Sequence, residues 1–183
     1  RDNWNHLYLY DVQKSKVIRQ ITTGDWFVRG IQRVDEEKGE IYFSASGVNK
    51  NEDPYLVHYY KIGIDGKNMV ALTPEEGNHS AQYTYDYHYL LDTYSKVDAA
   101  PVTVLRDAQT GKLVKTLETA NITTLKKHGW VAPEVFVAKG RDGKTDMWGI
   151  IQRPTNFDPN KKYPVIEYIY AGPGDAYTPK SFM

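Results

Sequence analysis

Short runs of Tyr, Val, Ile, Leu and Thr, each closed by polar or glycine-containing breaks, follow one another along the first 118 residues. β-Branched and aromatic side chains suit a pleated, half-buried surface, so these runs read as strands and the breaks as turns. His6 to Asp11 returns through the polar run Gln13 to Lys16 into Val17 to Thr22. Phe27 to Val34 pairs with Glu40 to Ala45 around Glu36-Glu37-Lys38-Gly39. Tyr55 to Ile64 turns at Asp65-Gly66-Lys67-Asn68 into Met69 to Thr73. Gln82 to Tyr85, Tyr87 to Tyr94, Val102 to Asp107 and Leu113 to Leu117 complete the series, the last pair joined across Gln109-Thr110-Gly111-Lys112. Asp-Gly and Thr-Gly supply residues that tolerate the positive φ a tight hairpin requires.

One unit recurs: a strand, a polar turn, then a second strand with Thr near its end. Leu7-Tyr8-Leu9-Tyr10 to Thr22, Val57-His58-Tyr59-Tyr60 to Thr73, and Val102-Thr103-Val104-Leu105 to Thr116 are its copies, spaced by 50 and 45 residues. That spacing is the scale of a four-stranded propeller blade. A β-sandwich fits the same rhythm and stays open on this pattern alone.

The texture changes after Leu117. Ala120 to His128 carries Ile122, Leu125 and Lys126-Lys127 at roughly helical spacing, with Gly129 as a stop. Glu134 to Ala138 and Met147 to Arg153 read as a hairpin across Gly140-Arg141-Asp142-Gly143-Lys144, and Pro154 to Lys162 as a polar loop. Tyr163 to Tyr170 reads as an apolar strand whose one charge is Glu167, ending at Ala171-Gly172-Pro173-Gly174. The expected division is a strand-rich segment 1–118, a linker or short helix 119–133, and a further unit 134–183.

Composition removes several function classes. Lys plus Arg and Asp plus Glu are 23 each, so zero net charge leaves no footprint for nucleic acid or an anionic membrane. Cysteine is absent, which excludes structural disulfides and thiolate metal sites. His58, His79 and His88 lack ligand-like spacing, and Asp65-Gly66-Lys67-Asn68 and Asp142-Gly143-Lys144 read as turns rather than calcium loops. No metal or cofactor is expected. Glu75-Glu76, in Thr73-Pro74-Glu75-Glu76-Gly77, reads as a solvated turn. Asn78-His79-Ser80 and Asn121-Ile122-Thr123 match the glycosylation pattern, which is common by chance. A start at Arg1 without Met, just before strand-like sequence, reads as a fragment or a processed segment.

The stretch from Trp148 to Pro173 is more specific. Trp148-Gly149-Ile150-Ile151-Gln152-Arg153-Pro154 closes on a proline, Phe157-Asp158 follows, and Lys161-Lys162-Tyr163-Pro164 leads into the apolar run that ends Tyr170-Ala171-Gly172-Pro173. This order resembles the entry into the hydrolase domain of the prolyl oligopeptidase superfamily, and Tyr-Ala-Gly-Pro its dipeptidyl peptidase IV branch. Upstream, Thr22-Thr23-Gly24-Asp25-Trp26-Phe27-Val28 resembles that branch's Thr-x-Gly-x-Trp-x-Val propeller stretch, with Ile41 to Ala45 and Tyr60-Lys61-Ile62 in the expected order. The resemblance implies a mainly β chain: the last two to three blades of a β-propeller, followed by the first strands of an α/β-hydrolase domain.

It also implies a parent that is a serine exopeptidase removing amino-terminal Xaa-Pro or Xaa-Ala dipeptides. Tyr170 would stabilise the oxyanion through its hydroxyl, because peptide cleavage puts negative charge on the former carbonyl oxygen. Partners implied are peptide substrates, the remainder of the same polypeptide and a second copy of the parent as a homodimer. The implied location is extracytoplasmic, periplasmic or secreted. No Gly-x-Ser-x-Gly elbow occurs, so the chain by itself is expected to be inactive. A non-catalytic binding propeller is the alternative from another class, and a sister aminopeptidase or endopeptidase the alternative within the enzymes.

Overall fold

The computed structural model describes residues 3–170 and 176–183. The chain is nearly all β. β1 (Tyr8–Asp11) and β2 (Lys16–Gln20) form a two-stranded sheet. β3 (Phe27–Asp35), β4 (Glu40–Ser46), β5 (Val57–Gly63) and β6 (Val70–Ala71) form a four-stranded meander, as do β7 (Asn78–Tyr83), β8 (Tyr89–Lys96), β9 (Ala99–Asp107) and β10 (Leu113–Thr119). Every pairing is antiparallel between sequence neighbours. Successive meanders packed face to face make a partial β-propeller. α1 (Thr123–Lys127) follows, and then a hairpin of β11 (Glu134–Lys139) and β12 (Asp146–Ile151).

Two apolar layers join the sheets. Leu7 and Ile21 beside the first sheet pack on Trp26, Val28, Phe43 and Tyr60 of the next. Tyr42, Leu72, Leu90 and Ala108 fill the gap between the two meanders, with Tyr59, Tyr83 and Tyr87 around them. Gln109 crosses that gap, its amide donating to the Tyr42 hydroxyl at 2.8 Å and its carbonyl accepting from Lys61 Nζ at 3.0 Å.

The recurrence seen in the sequence has a physical basis in its first two copies. Thr22 Oγ1 accepts the Leu7 N–H and Thr73 Oγ1 the Tyr59 N–H, each at 2.9 Å. The hydroxyl closes the blade where the strand ladder ends, so Thr is needed at the end of the second strand. The matching donors lie 52 residues apart, two more than the sequence register suggested. Thr116 does something different, lying inside β10 opposite Val104.

The Thr-x-Gly-x-Trp-x-Val stretch is a single packed device. His6 Nδ1 lies 3.1 Å from Thr22 Oγ1, and its Nε2 3.0 Å from the Gly24 carbonyl. The Trp26 ring meets the His6 ring edge-on at 5.1 Å and stacks on Phe43 at 6.3 Å. Gly24 holds φ +125, and a Cβ there would sit 2.5 Å from the Trp26 indole nitrogen. Val28 enters the same core.

Three expectations change. The strand placed at Gln82 to Tyr85 runs from Asn78 to Tyr83, and Thr84 to His88 is a turn organised by Asp86, which accepts from the Thr84 hydroxyl and the His88 N–H. The helix is confined to five residues, with Asn121 Oδ1 accepting the Thr123 N–H at its start and Gly129 at φ 88 beyond its end. Tyr163 to Tyr170 forms no ladder among the described residues. A run apolar on both faces is the pattern of a strand buried between neighbours, yet Val165 and Ile166 are 91% and 93% exposed.

Candidate functional site

Tyr170, the predicted oxyanion donor, lies at the end of that apolar run and is 72% exposed. Its ring rests 5.4 Å from the ring of Tyr177, which also meets Tyr168 at 5.1 Å and hydrogen-bonds it hydroxyl to hydroxyl. Ala171, Gly172, Pro173 and Gly174 lie outside the described residues.

The segment 176–183 reaches back to the blades. Lys180 Nζ is 2.6 Å from Asp53 Oδ2, between the rings of Tyr55 at 5.1 Å and Trp148 at 5.8 Å. Asn78 Nδ2 donates to Ser181 Oγ at 2.8 Å, and the Phe182 N–H to Ser95 Oγ at 3.0 Å. Here the β11–β12 hairpin, the loop before β5 and the turn after β8 enclose a cleft of about 450 Å³, lined with Glu52, Glu76, Lys96 and Asp98 among others.

Below the cleft floor runs a buried polar chain. His58 Nδ1 donates to the Thr73 carbonyl at 2.7 Å, and its Nε2 lies 2.7 Å from Glu52 Oε1. The His79 ring is 4.7 Å away; its Nε2 donates to the Glu75 carbonyl and its Nδ1 lies 2.8 Å from Asp92 Oδ1. Asp92 Oδ2 accepts from Arg106 Nε at 2.8 Å, and Arg106 continues to the Gly111 carbonyl and the Glu75 carboxylate. Burial holds His58 below its usual pKa, against the opposing pull of its bond to the Thr73 carbonyl and of Glu52, with the nearby His79 ring adding to the lowering.

Glu75 keeps the half-exposed turn position expected of it, its side chain 38% exposed, but it also has a buried partner. It caps a guanidinium that is 1% exposed, while Glu76 stays at the surface, 2.9 Å from Lys96. Local spacing does not expose this network, because His58, His79 and Glu75 meet their partners across strands and turns. A signal existed in the strand alternation: Asp92 and Arg106 both fall on inward positions of their strands, where an unpaired charge is untenable. His88 stays apart at the surface, 2.8 Å from Asp86. Asn78, part of a glycosylation triplet, is occupied in accepting the Val57 N–H and in holding Ser181.

The family model described as Dipeptidyl peptidase IV (DPP IV) N-terminal region matches residues 1–101. The "Probable dipeptidyl peptidase 4" of Arthroderma benhamiae is 31% identical over 176 residues, 93% of this chain and 22% of that protein. The "Probable dipeptidyl-aminopeptidase B" of Neosartorya fischeri is 27% identical over 187 residues, 99% of this chain and 20% of that protein. The crystal structure of Porphyromonas gingivalis dipeptidyl peptidase 4 superposes with a TM-score of 0.76 at 26% identity, over 100% of this chain and 25% of that one. A putative dipeptidyl aminopeptidase IV from Bacteroides ovatus gives 0.73 at 28% identity, over 99% and 28%. The chain spans about a fifth of the length of the curated relatives it matches, and it belongs to the dipeptidyl peptidase IV N-terminal-region family.

Proposed function

We propose that this chain is the part of a serine dipeptidyl peptidase in which the propeller passes into the hydrolase domain. Residues 1–118 are the propeller segment, 119–133 the connection, and 134–183 the opening strands of an α/β-hydrolase domain. The parent removes amino-terminal dipeptides, Xaa-Pro or Xaa-Ala, from peptides outside the cytoplasm. Among the described residues no helix is long and apolar enough to cross a membrane.

The observation that carries this reading is Tyr170-Ala171-Gly172-Pro173 at the end of an apolar run. The similarity to dipeptidyl peptidases extends past the propeller match at residue 101 to cover 93% of the chain, which supports it. Tyr170 donates its hydroxyl to the oxyanion as the tetrahedral intermediate forms, so its contribution falls on the transition state rather than on substrate binding. The nucleophile, its base and the base's orienting carboxylate come from the rest of the polypeptide, and this chain by itself does not turn over substrate.

In the intact enzyme, Tyr170→Phe is expected to lower kcat by about 10²–10³ with little change in KM, measured on an amino-terminal Xaa-Pro chromogenic substrate. An unchanged kcat removes Tyr170 from the mechanism. Full-length protein without activity, or with activity insensitive to a serine-directed inhibitor, overturns the serine exopeptidase and leaves a binding propeller as the better account.

A further inference from the structure

Resting on the reading of Tyr170 as the oxyanion donor, we propose that Lys180, clamped by Asp53, is a positioning residue for Tyr170 and acts through the ring of Tyr177. The clamp is a built feature rather than a surface ion pair. The Lys180 and Asp53 side chains are only 11% and 13% exposed, and the ammonium lies between two aromatic faces. A partly desolvated ammonium over aromatic rings is attracted to them more strongly than an exposed lysine is.

The clamp spans two parts of the fold. Asp53 and Tyr55 belong to the loop between β4 and β5, whereas Trp148 belongs to β12. Lys180 thus ties the propeller to the hairpin that follows it. Its neighbours repeat the tie on both sides: Thr178 Oγ1 donates to the Trp148 carbonyl at 3.4 Å, Ser181 is held by Asn78, and the Phe182 ring lies 5.1 Å from Trp130. Three positions before Lys180, Tyr177 supplies the ring against which Tyr170 rests.

A continuous path therefore leads from a propeller loop to the proposed oxyanion donor. Its chemical meaning comes from the steepness of catalysis in geometry: a displacement of about 1 Å in a reacting group can cost on the order of 10²-fold in rate. Tyr170 stands at the end of its run with its ring against Tyr177, so the segment that carries Tyr177 helps to set where its hydroxyl stands.

The test is a double-mutant cycle in the intact enzyme, with kcat, KM and Tm read for each variant. Lys180→Met is expected to lower kcat about 10-fold or more while KM changes less than about threefold, with Lys180→Arg recovering most of the loss. In a Tyr170→Phe background the same substitution is expected to have no further effect on kcat, since the group it positions is already gone. Equal losses in both backgrounds, or a lower Tm with kcat unchanged, overturn the proposal and leave the clamp purely structural. If Lys180→Met does not fold, Tyr177→Leu decides, because it removes the ring from a 44% exposed site without unpairing a charge. Its kcat loss must likewise vanish with Tyr170→Phe, and a loss that persists overturns the path. If Tyr170→Phe itself has normal kcat, the oxyanion reading fails first and this inference with it. A slow Tyr170→Phe beside a fully active Lys180→Met sinks the inference alone.

Discussion

Arg106 and Asp92 are among the most buried side chains described, at 1% and 0% exposure, and each depends on the other. Truncating one partner of a buried ion pair leaves the other charge without solvent or counter-charge, typically at a cost of 3–5 kcal/mol. Asp92→Ala is therefore expected to destabilise the fold by about that amount, read by urea denaturation, because it strands Arg106 and also removes the acceptor facing His79. His58 carries a pH signature. Its pKa is held below the ordinary 6.5 by burial, so below pH 6.5 the unfolded chain binds a proton that the folded chain resists. The unfolded state then holds more protons, stability rises with pH, and it is lost on acidification. Denaturation midpoints taken from pH 7 down to pH 5 should fall, with His58→Gln flattening part of that slope. A slope identical in the variant assigns the acid sensitivity to other groups.

The two meanders share one topology and differ in what fills them. Aligning β4 on β8 through the buried Ser46 and Ser95 sets His79, Asp92 and Arg106 where the preceding sheet has Val28, Phe43 and Ile62. The same strand frame thus encloses either an apolar set or an ionic one. Replacing a buried ionic set by packed apolar side chains is often neutral or stabilising by about 1–4 kcal/mol. The triple variant His79→Val, Asp92→Phe, Arg106→Ile is expected to be at least as stable as the parent chain, in contrast to Asp92→Ala. If both lose stability alike, the loss comes from packing rather than from the stranded charge. A second element-level constraint sits in the β9–β10 turn. Gly111, at φ +72, presses on the preceding sheet, where an added Cβ would meet the Ala71 carbonyl oxygen at 2.5 Å and Leu72 Cα at 2.9 Å. Both obstacles are backbone, so Gly111→Ala must separate the two meanders, and a loss of about 3 kcal/mol or more is expected by thermal or chemical denaturation.

At the scale of the whole molecule, exposed apolar side chains among the described residues are spread along the chain and are densest at 165–170. Val165, Ile166, Tyr168 and Ile169 are each more than two-thirds exposed in one continuous run. Contiguous apolar surface and unpaired backbone of this kind drive association. The 183-residue chain expressed by itself is expected to elute in size-exclusion chromatography above its 21.0 kDa mass, increasingly so with concentration. Val165→Lys with Ile169→Lys should return it towards the monomer. A concentration-independent monomer of the unmodified chain contradicts this.

Local chemistry was enough to reveal the strands, because alternation, β-branching and turn residues act over a few positions. Phe27–Asp35, Glu40–Ser46 and the hairpin β11–β12 stand close to where the side-chain pattern puts them. The paired threonines were legible too, since the bonds that Thr22 and Thr73 make recur at almost the same separation. Tyr163 to Tyr170 misled the pattern, because apolarity proposes a strand but only a neighbouring strand completes its ladder. The ionic core, the Lys180 clamp and the contact of Tyr177 with Tyr170 were decided by tertiary structure. Their partners lie 14 residues apart for Asp92 and Arg106, and 127 apart for Asp53 and Lys180. A charge reads as surface in a sequence until the fold removes its water, and only the closed structure shows which opposite charge it meets there.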